Sequence, residues 1–208
     1  MARKMYREAI DAFKEGSAKD PIVLNKLGIA YHQLQQMDNA RKSYEQAIRY
    51  KPDYVEALNN LGTVYYARKS YRRAIGWYNK ALRIAPEDIK SASIYMNLGT
   101  AYFARKRYDD ATKTFQTALR LDPEVFERHG SYGVMLEERS VEERAKFHFH
   151  LAKLYAKGGR NDLAIQYLRK AIEEGFKEKK KLEEEPEFTA LRDLPEFKEL
   201  LKLEPRVL

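Results

Sequence analysis

Apolar residues through most of this chain recur at i, i+3, i+4 and i+7, the spacing of one face of an α-helix. Leu58, Leu61, Gly62 and Tyr65 form one such stripe. Ala74, Tyr78, Ala81 and Leu82 form a second, and Pro86 ends it, because a proline cannot continue the helical hydrogen-bond ladder. The pattern predicts a pair of helices, and the pair recurs. Gly28 to Gly62 is 34 residues, and the same spacing separates Tyr31 from Tyr65, Ala40 from Ala74, Tyr44 from Tyr78, Ala47 from Ala81 and Pro52 from Pro86. A third copy carries Gly99, Tyr102, Ala111, Phe115, Ala118 and Pro123, delayed by three residues. A fourth has Ala152 in the place of the glycine, then Tyr155, Ala164, Leu168 and Ala171, and lacks the closing proline.

Small residues at fixed places in each copy predict close helix approach. Gly62 is expected to face Ala74 across the pair, with Tyr65 and Tyr78 filling the space beside that contact, so that a larger side chain at Ala74 would overpack by about 1–3 kcal/mol.

These landmarks resemble the tetratricopeptide repeat, whose signature in the same order is W-x2-L-G-x2-Y, A, F, A and P. Leu24, Leu58 and Tyr95 stand where the family often has tryptophan. The resemblance spans roughly residues 2–176. It implies an all-α fold, a right-handed solenoid of helix-turn-helix repeats, with the first helix of each pair lining a concave groove. Full repeats are expected at about 21–53, 55–87, 92–124 and 145–176, after a half repeat at 2–16 in which Ala2, Tyr6 and Ala9 match a second helix. This orphan helix, with Tyr6, Ile10 and Phe13 on its apolar side, fits either a trimmed longer protein or pairing with another copy, and trimming is the expectation. Residues 124–140, "EVFERHGSYGVMLEERS", read as a loop inserted between repeats and closed by a capping box at Ser140 and Glu143. After Gly175 the repeat stops. Pro186 and Pro195 then mark two short helices, carrying Phe188, Leu191, Phe197, Leu200 and Leu201, that cap the stack within 177–208. Such tails are familiar in bacterial members of the family and point to a bacterial source.

Each first helix also has a second face, about 100° from its packing stripe. In the first repeat it holds Asn25, Ile29 and His32; in the second Asn59, Thr63 and Tyr66, with Asn60 beside them; in the third Met96, Thr100 and Phe103, with Asn97; in the fourth Phe149, Lys153 and Ala156. In the family this face lines the groove. Amides and hydroxyls among aromatic rings suit an extended peptide, whose backbone the amides would satisfy while the rings take side chains. The alternative is that Tyr66 and Phe103 are packing between neighbouring first helices. A chaperone-type carboxylate clamp is not expected. Asn60 matches its middle asparagine, but Asn25, Ile29, Ser93 and Asn97 stand where lysines, an asparagine and an arginine are required.

Charge adds a second surface. Arg68, Lys69, Arg72 and Arg73 flank one turn between paired helices, Arg105, Lys106 and Arg107 the next, and Lys157 and Arg160 the last. Aligned, they would form a basic ridge able to meet an acidic partner, nucleic acid or anionic lipid. A solvated edge is the preferred reading, since no aromatic stacking platform interleaves with the cations. The run 176–185, "FKEKKKLEEE", reads as an exposed mixed-charge stretch. Self-association through the half repeat or the 124–140 insertion is a third possibility.

Composition narrows the chemistry. The 208 residues have a net charge of +8, no cysteine and no apolar run long enough to span a bilayer. Disulfides and thiolate catalysis are thereby excluded, and the first residues do not read as a signal peptide. The compartment stays open, cytoplasmic by default and periplasmic or secreted if a leader precedes the chain. His148 and His150 lie on different faces of one helix, so they do not preform a metal site, and His32 and His129 stand alone. No phosphate-binding glycine loop, HExxH or nucleophile elbow occurs. No cofactor is expected, and the function expected is a non-catalytic scaffold that binds a protein or peptide.

Overall fold

The computed structural model describes residues 6–8, 10–11, 19–127 and 140–203, and among them no strand occurs. Ala2, Ala9, Phe13, His129 and most of the expected 124–140 insertion lie outside the described residues. The chain divides into two compact units, residues 1–134 and 135–208.

The first unit holds three antiparallel helix pairs: α1 (Pro21–Gln33) with α2 (Met37–Tyr50), α3 (Val55–Ala67) with α4 (Tyr71–Ile84), and α5 (Ser91–Ala104) with α6 (Tyr108–Leu121). Helix α2 also packs on α3, and α4 on α5, so the pairs stack in chain order. Their core is a single cluster running from Leu24 to Ala101, in which Ala40, Ala47, Leu58, Leu61, Ala74, Tyr78 and Ala81 are fully enclosed. Helical backbone at residues 6–8 and 10–11 precedes the pairs, with Ile10 buried.

The glycines have a different neighbour from the one their spacing suggested. A Cβ built on Gly62 would lie 2.5 Å from the ring of Tyr78, and at Gly28 and Gly99 it would lie 2.4 Å from Tyr44 and Phe115. The nearest obstacle is thus the aromatic ring sixteen residues on, rather than Ala74 as expected; Ala74 is itself fully buried in the same core. The clearance lets a whole ring lie on bare helix backbone, which is why glycine is tolerated mid-helix despite costing about 1 kcal/mol there. Where the fourth copy has Ala152, the residue sixteen further on is the smaller Leu168, and both are fully buried.

The turns between paired helices are equally regular. Gln35, Lys69 and Lys106 have φ of 62°, 57° and 60°. Each closes a Schellman cap: the N–H of Gln36, Ser70 and Arg107 reaches back to the carbonyl of Tyr31, Tyr65 and Tyr102, and the residue with positive φ donates to His32, Tyr66 and Phe103. Satisfying those carbonyls within two residues launches the second helix at once. The three residues that delay the third copy fall in the turn before α5. There the Asp88 carboxylate accepts from the Lys90 N–H at 2.7 Å and the Ser91 hydroxyl donates to the Ala85 carbonyl.

The second unit contains α7 (Val141–Lys157) paired with α8 (Asn161–Glu173), then α9 (Lys179–Glu184), a 3-10 turn at Pro186–Leu191 and α10 (Pro195–Lys202). The capping box expected at Ser140 is present, its hydroxyl accepting from Glu143 N–H while the Glu143 carboxylate accepts from Ser140 N–H. Gly159, φ 73°, closes α7 with the same Schellman cap. Both prolines stand in first turns as expected, but the first element is a 3-10 turn. The mixed-charge run is not wholly a solvated stretch: Leu182 is fully buried and anchors α9.

Gly62→Ala should destabilise the chain by about 1–3 kcal/mol in urea unfolding, since its methyl group would enter the Tyr78 ring. Adding Tyr78→Leu, the pairing used by Ala152 and Leu168, should recover part of that loss. Strictly additive effects of the two changes would show that ring and glycine are uncoupled.

Candidate functional site

Positions three and two residues before the landmark glycine decide how successive first helices meet. Asn60 Nδ2 donates to Asn25 Oδ1 at 3.0 Å, and Asn97 Nδ2 donates to Asn59 Oδ1 at 3.1 Å. The two bonds are one rule applied twice, running from the later position of one repeat to the earlier position of the repeat before it. All four side chains are buried, so each bond fixes the register between neighbouring helices in a low-dielectric setting. The third repeat has Met96 at the earlier position, half-exposed and packed beside Ala92, Ala118 and Val125.

The rest of the second face divides by depth. Ile29, His32 and Thr63 stay half-exposed, while Thr100, Tyr66 and Phe103 are buried. Thr63 and Thr100 hydroxyls donate to the carbonyls of Asn59 and Met96 one turn back. The Tyr78 hydroxyl reaches Thr63 at 3.4 Å, and burial holds the Tyr78 phenol well above its usual range. Burial likewise lowers the pKa of His32. The Tyr66 ring packs on Tyr71 and Phe103 on Tyr108, each with centroids 5.1 Å apart. Tyr71 and Tyr108 begin the second helices and were not among the expected lining residues. Their signal was available, for each follows its partner ring by five residues in two successive copies.

In the second unit the matching face is covered by the chain itself. Phe149 stacks on Phe176 with centroids 4.3 Å apart and takes Phe188 edge-on at 5.7 Å. Lys153 reaches Glu185 at 2.5 Å and Glu187 at 3.5 Å. The segment after α9 therefore lies where a further first helix would stack. His150, beside it, is pushed down to about 4 chiefly by burial, with the Lys153 charge adding to the effect. His148 faces the other way, toward α8, with Nδ1 2.6 Å from Glu174 and its ring against Tyr167. Burial raises the Glu174 pKa, but the bonds and charges of His148 and Arg144 outweigh it and hold the carboxyl below its ordinary value.

The turn cations are exposed, and several are partly neutralised. Arg68 pairs with Asp38 at 2.7 Å, Arg107 with Asp110 at 2.7 Å and Arg160 with Asp162 at 3.6 Å. Arg73 lies over Tyr65 and Arg107 over Tyr102. Lys69, Arg72, Arg105, Lys106 and Lys157 project from the turns into solvent. Among the described residues no group of three or more His, Asp or Glu is placed to hold a metal ion, and no helix is long and apolar enough to cross a membrane.

Asn60→Ala should cost about 1–3 kcal/mol, because it leaves buried Asn25 without its donor. The double change with Asn25→Ala should cost clearly less than the sum of the singles; equal or larger cost in denaturant titration would count against the pair. A second test concerns acid. His150 protonates more readily unfolded than folded, so it supplies stability above about pH 6.5 that is lost as pH falls toward about 4. His150→Gln should therefore lower the melting temperature less than wild type between pH 7 and pH 4, and an identical acid profile would overturn the assignment.

A family model described as "Tetratricopeptide repeat" matches residues 20–87 and 53–124, and a second of the same description matches 145–174. Solved structures of MamA share the fold. AMB-1 MamA is 25% identical with a TM-score of 0.54, covering 82% of this chain and 90% of that one. MamA from Desulfovibrio magneticus RS-1 is 22% identical with a TM-score of 0.53, covering 83% and 94%. Another MamA crystal structure is 19% identical with a TM-score of 0.55, covering 88% and 87%. The search of curated proteins found no match. Family matches over more than half of the residues, on an all-helical array of stacked pairs, establish that the chain belongs to the tetratricopeptide repeat family.

Proposed function

We propose that this chain is a non-catalytic protein-interaction scaffold in which the second face of α1, α3 and α5 receives an extended peptide. Membership of the tetratricopeptide family supports the scaffold role. The observation that carries the finer reading is the economy of the asparagine pairs. Each pair uses one amide donor and one carbonyl acceptor, which leaves Asn25 Nδ2, Asn59 Nδ2 and Asn60 Oδ1 outside those bonds. None of these is a buried polar atom lacking a partner, so each keeps contact with solvent. A row of solvent-touching donors and acceptors, rigidly held and flanked by half-exposed Ile29, His32, Thr63 and Met96, matches the alternating N–H and C=O groups of a peptide backbone. Tyr71 and the exposed edge of Tyr108 offer ring surface next to it.

The peptide site rests on residues 25–103, because the chain's own cap lies on Phe149 and Lys153. Preorganisation is its main energetic asset: side chains already locked lose little entropy on binding.

Thr63→Arg with Met96→Arg should obstruct this lining while leaving the enclosed core intact. In pull-downs from the source organism, partners retained by the wild type should be lost and the melting temperature should stay within a few degrees. Undiminished capture by a normally folded double variant would place the interaction elsewhere.

A further inference from the structure

The cations of the second repeat break rules that the other repeats keep. Helix α4 opens with Tyr71-Arg72-Arg73 and has no acidic residue in its first turn, whereas α2, α6 and α8 carry Asp38, Asp109 with Asp110, and Asp162 there. Acids belong at that end, because the unpaired N–H groups of the first turn give it a partial positive charge, and two arginines oppose it. The same face carries exposed Gly76, around which a Cβ would meet nothing within 4 Å. The equivalent positions of the other second helices are Lys42, Lys113 and Gln166. At 100° per residue Arg72, Gly76, Lys80 and Arg83 fall in one stripe about 16 Å long. Between Glu56 and Glu87 the chain has six basic residues and no acidic one. Arg68 alone among them is ion-paired; Lys69, Arg72, Arg73, Lys80 and Arg83 form no ion pair with any described residue.

Arg73 and Lys80 lie over the Tyr65 and Trp77 rings, but no carboxylate answers them. Local rules broken together, with no anion inside the fold to offset the charge beyond Asp38, mark a surface kept for something outside it. The chain itself carries the complement. Residues 1–134 hold the whole +8 net charge and 135–208 are balanced, yet within the latter residues 183–199 carry seven carboxylates against Arg192 and Lys198. Glu183, Glu184, Asp193, Glu196 and Glu199 are exposed and without ion-pair partners among the described residues. Glu196 and Glu199 share one face of α10.

We infer that the basic face of α4 docks the acidic cap, residues 183–199, of a second copy of this chain. Gly76 provides the bare backbone that lets the incoming segment approach, and the arginines and lysines around it meet its carboxylates. The two surfaces differ, so the contact is head-to-tail, leaving a free basic face on one copy and a free cap on the other to continue the assembly. It is separate from the peptide lining on α1, α3 and α5.

The test uses the full chain in analytical ultracentrifugation. Wild type should self-associate at about 50 mM salt and dissociate at about 500 mM, as screening demands. Arg72→Asp with Arg73→Asp copies the opening of α6 and should weaken association at least tenfold, with a melting temperature equal to or above wild type. Glu196→Lys with Glu199→Lys should also be monomeric. Mixed, these two variants should form a 1:1 dimer that grows no further, since each retains the surface that the other has lost. A wild type that is monomeric in low salt, a doubly Asp-substituted chain that still associates, or a mixture that stays monomeric would each overturn the assignment.

Discussion

An aromatic ring lying against bare helix backbone is the contact on which the rest of this molecule depends. Tyr44 on Gly28, Tyr78 on Gly62 and Phe115 on Gly99 hold the two helices of each pair in the first unit close enough that only the ring lies between them at the glycine. The close approach fixes the roll of each first helix, and with it which residues turn inward to the core and which form the second face. Because each ring is enclosed, exposed by 1% or less, there is no free volume to absorb an added methyl group.

With the roll of the first helices set, neighbouring helices can be keyed by polar groups without loss of core. The asparagine pairs are buried and hydrogen-bonded across repeats, so a slip of one residue would strand amides in a low-dielectric interior. An apolar pair at these sites would pack as well and specify less. The same bonds hold the amides at fixed places on the second face of the first helices.

An array of this kind must end, because an uncovered first helix leaves apolar surface in water. The second unit closes its pair with its own tail: Phe188 meets Phe149, and Glu185 and Glu187 meet Lys153. The segment that finishes the stack is also the most acidic stretch of the chain, while the least compensated cations belong to α4. Covering the last pair needs Phe188, Leu191, Phe197 and Leu200, all buried; it does not need the exposed carboxylates between and around them.

The sequence by itself determined the period, the pairing of helices, the capping box at Ser140 and the prolines that open the cap elements, because these are local signals: stripe spacing, cap chemistry and the fixed φ of proline act within a few residues. It also marked the second face, since angular position on a helix follows from residue number alone. What it did not determine was what each residue on that face touches. Gly62 meets Tyr78 instead of Ala74, Asn60 meets Asn25, and Phe149 meets Phe188; only the last two cross between successive layers of the stack, but all three depend on the angle at which helices cross. The same holds for depth: Tyr66 is buried while Thr63, one turn away, stays half-exposed, and the difference comes from Tyr71 arriving on the following helix. Periodicity is a property of one helix, whereas contact and burial belong to pairs of helices, and tertiary structure decides them.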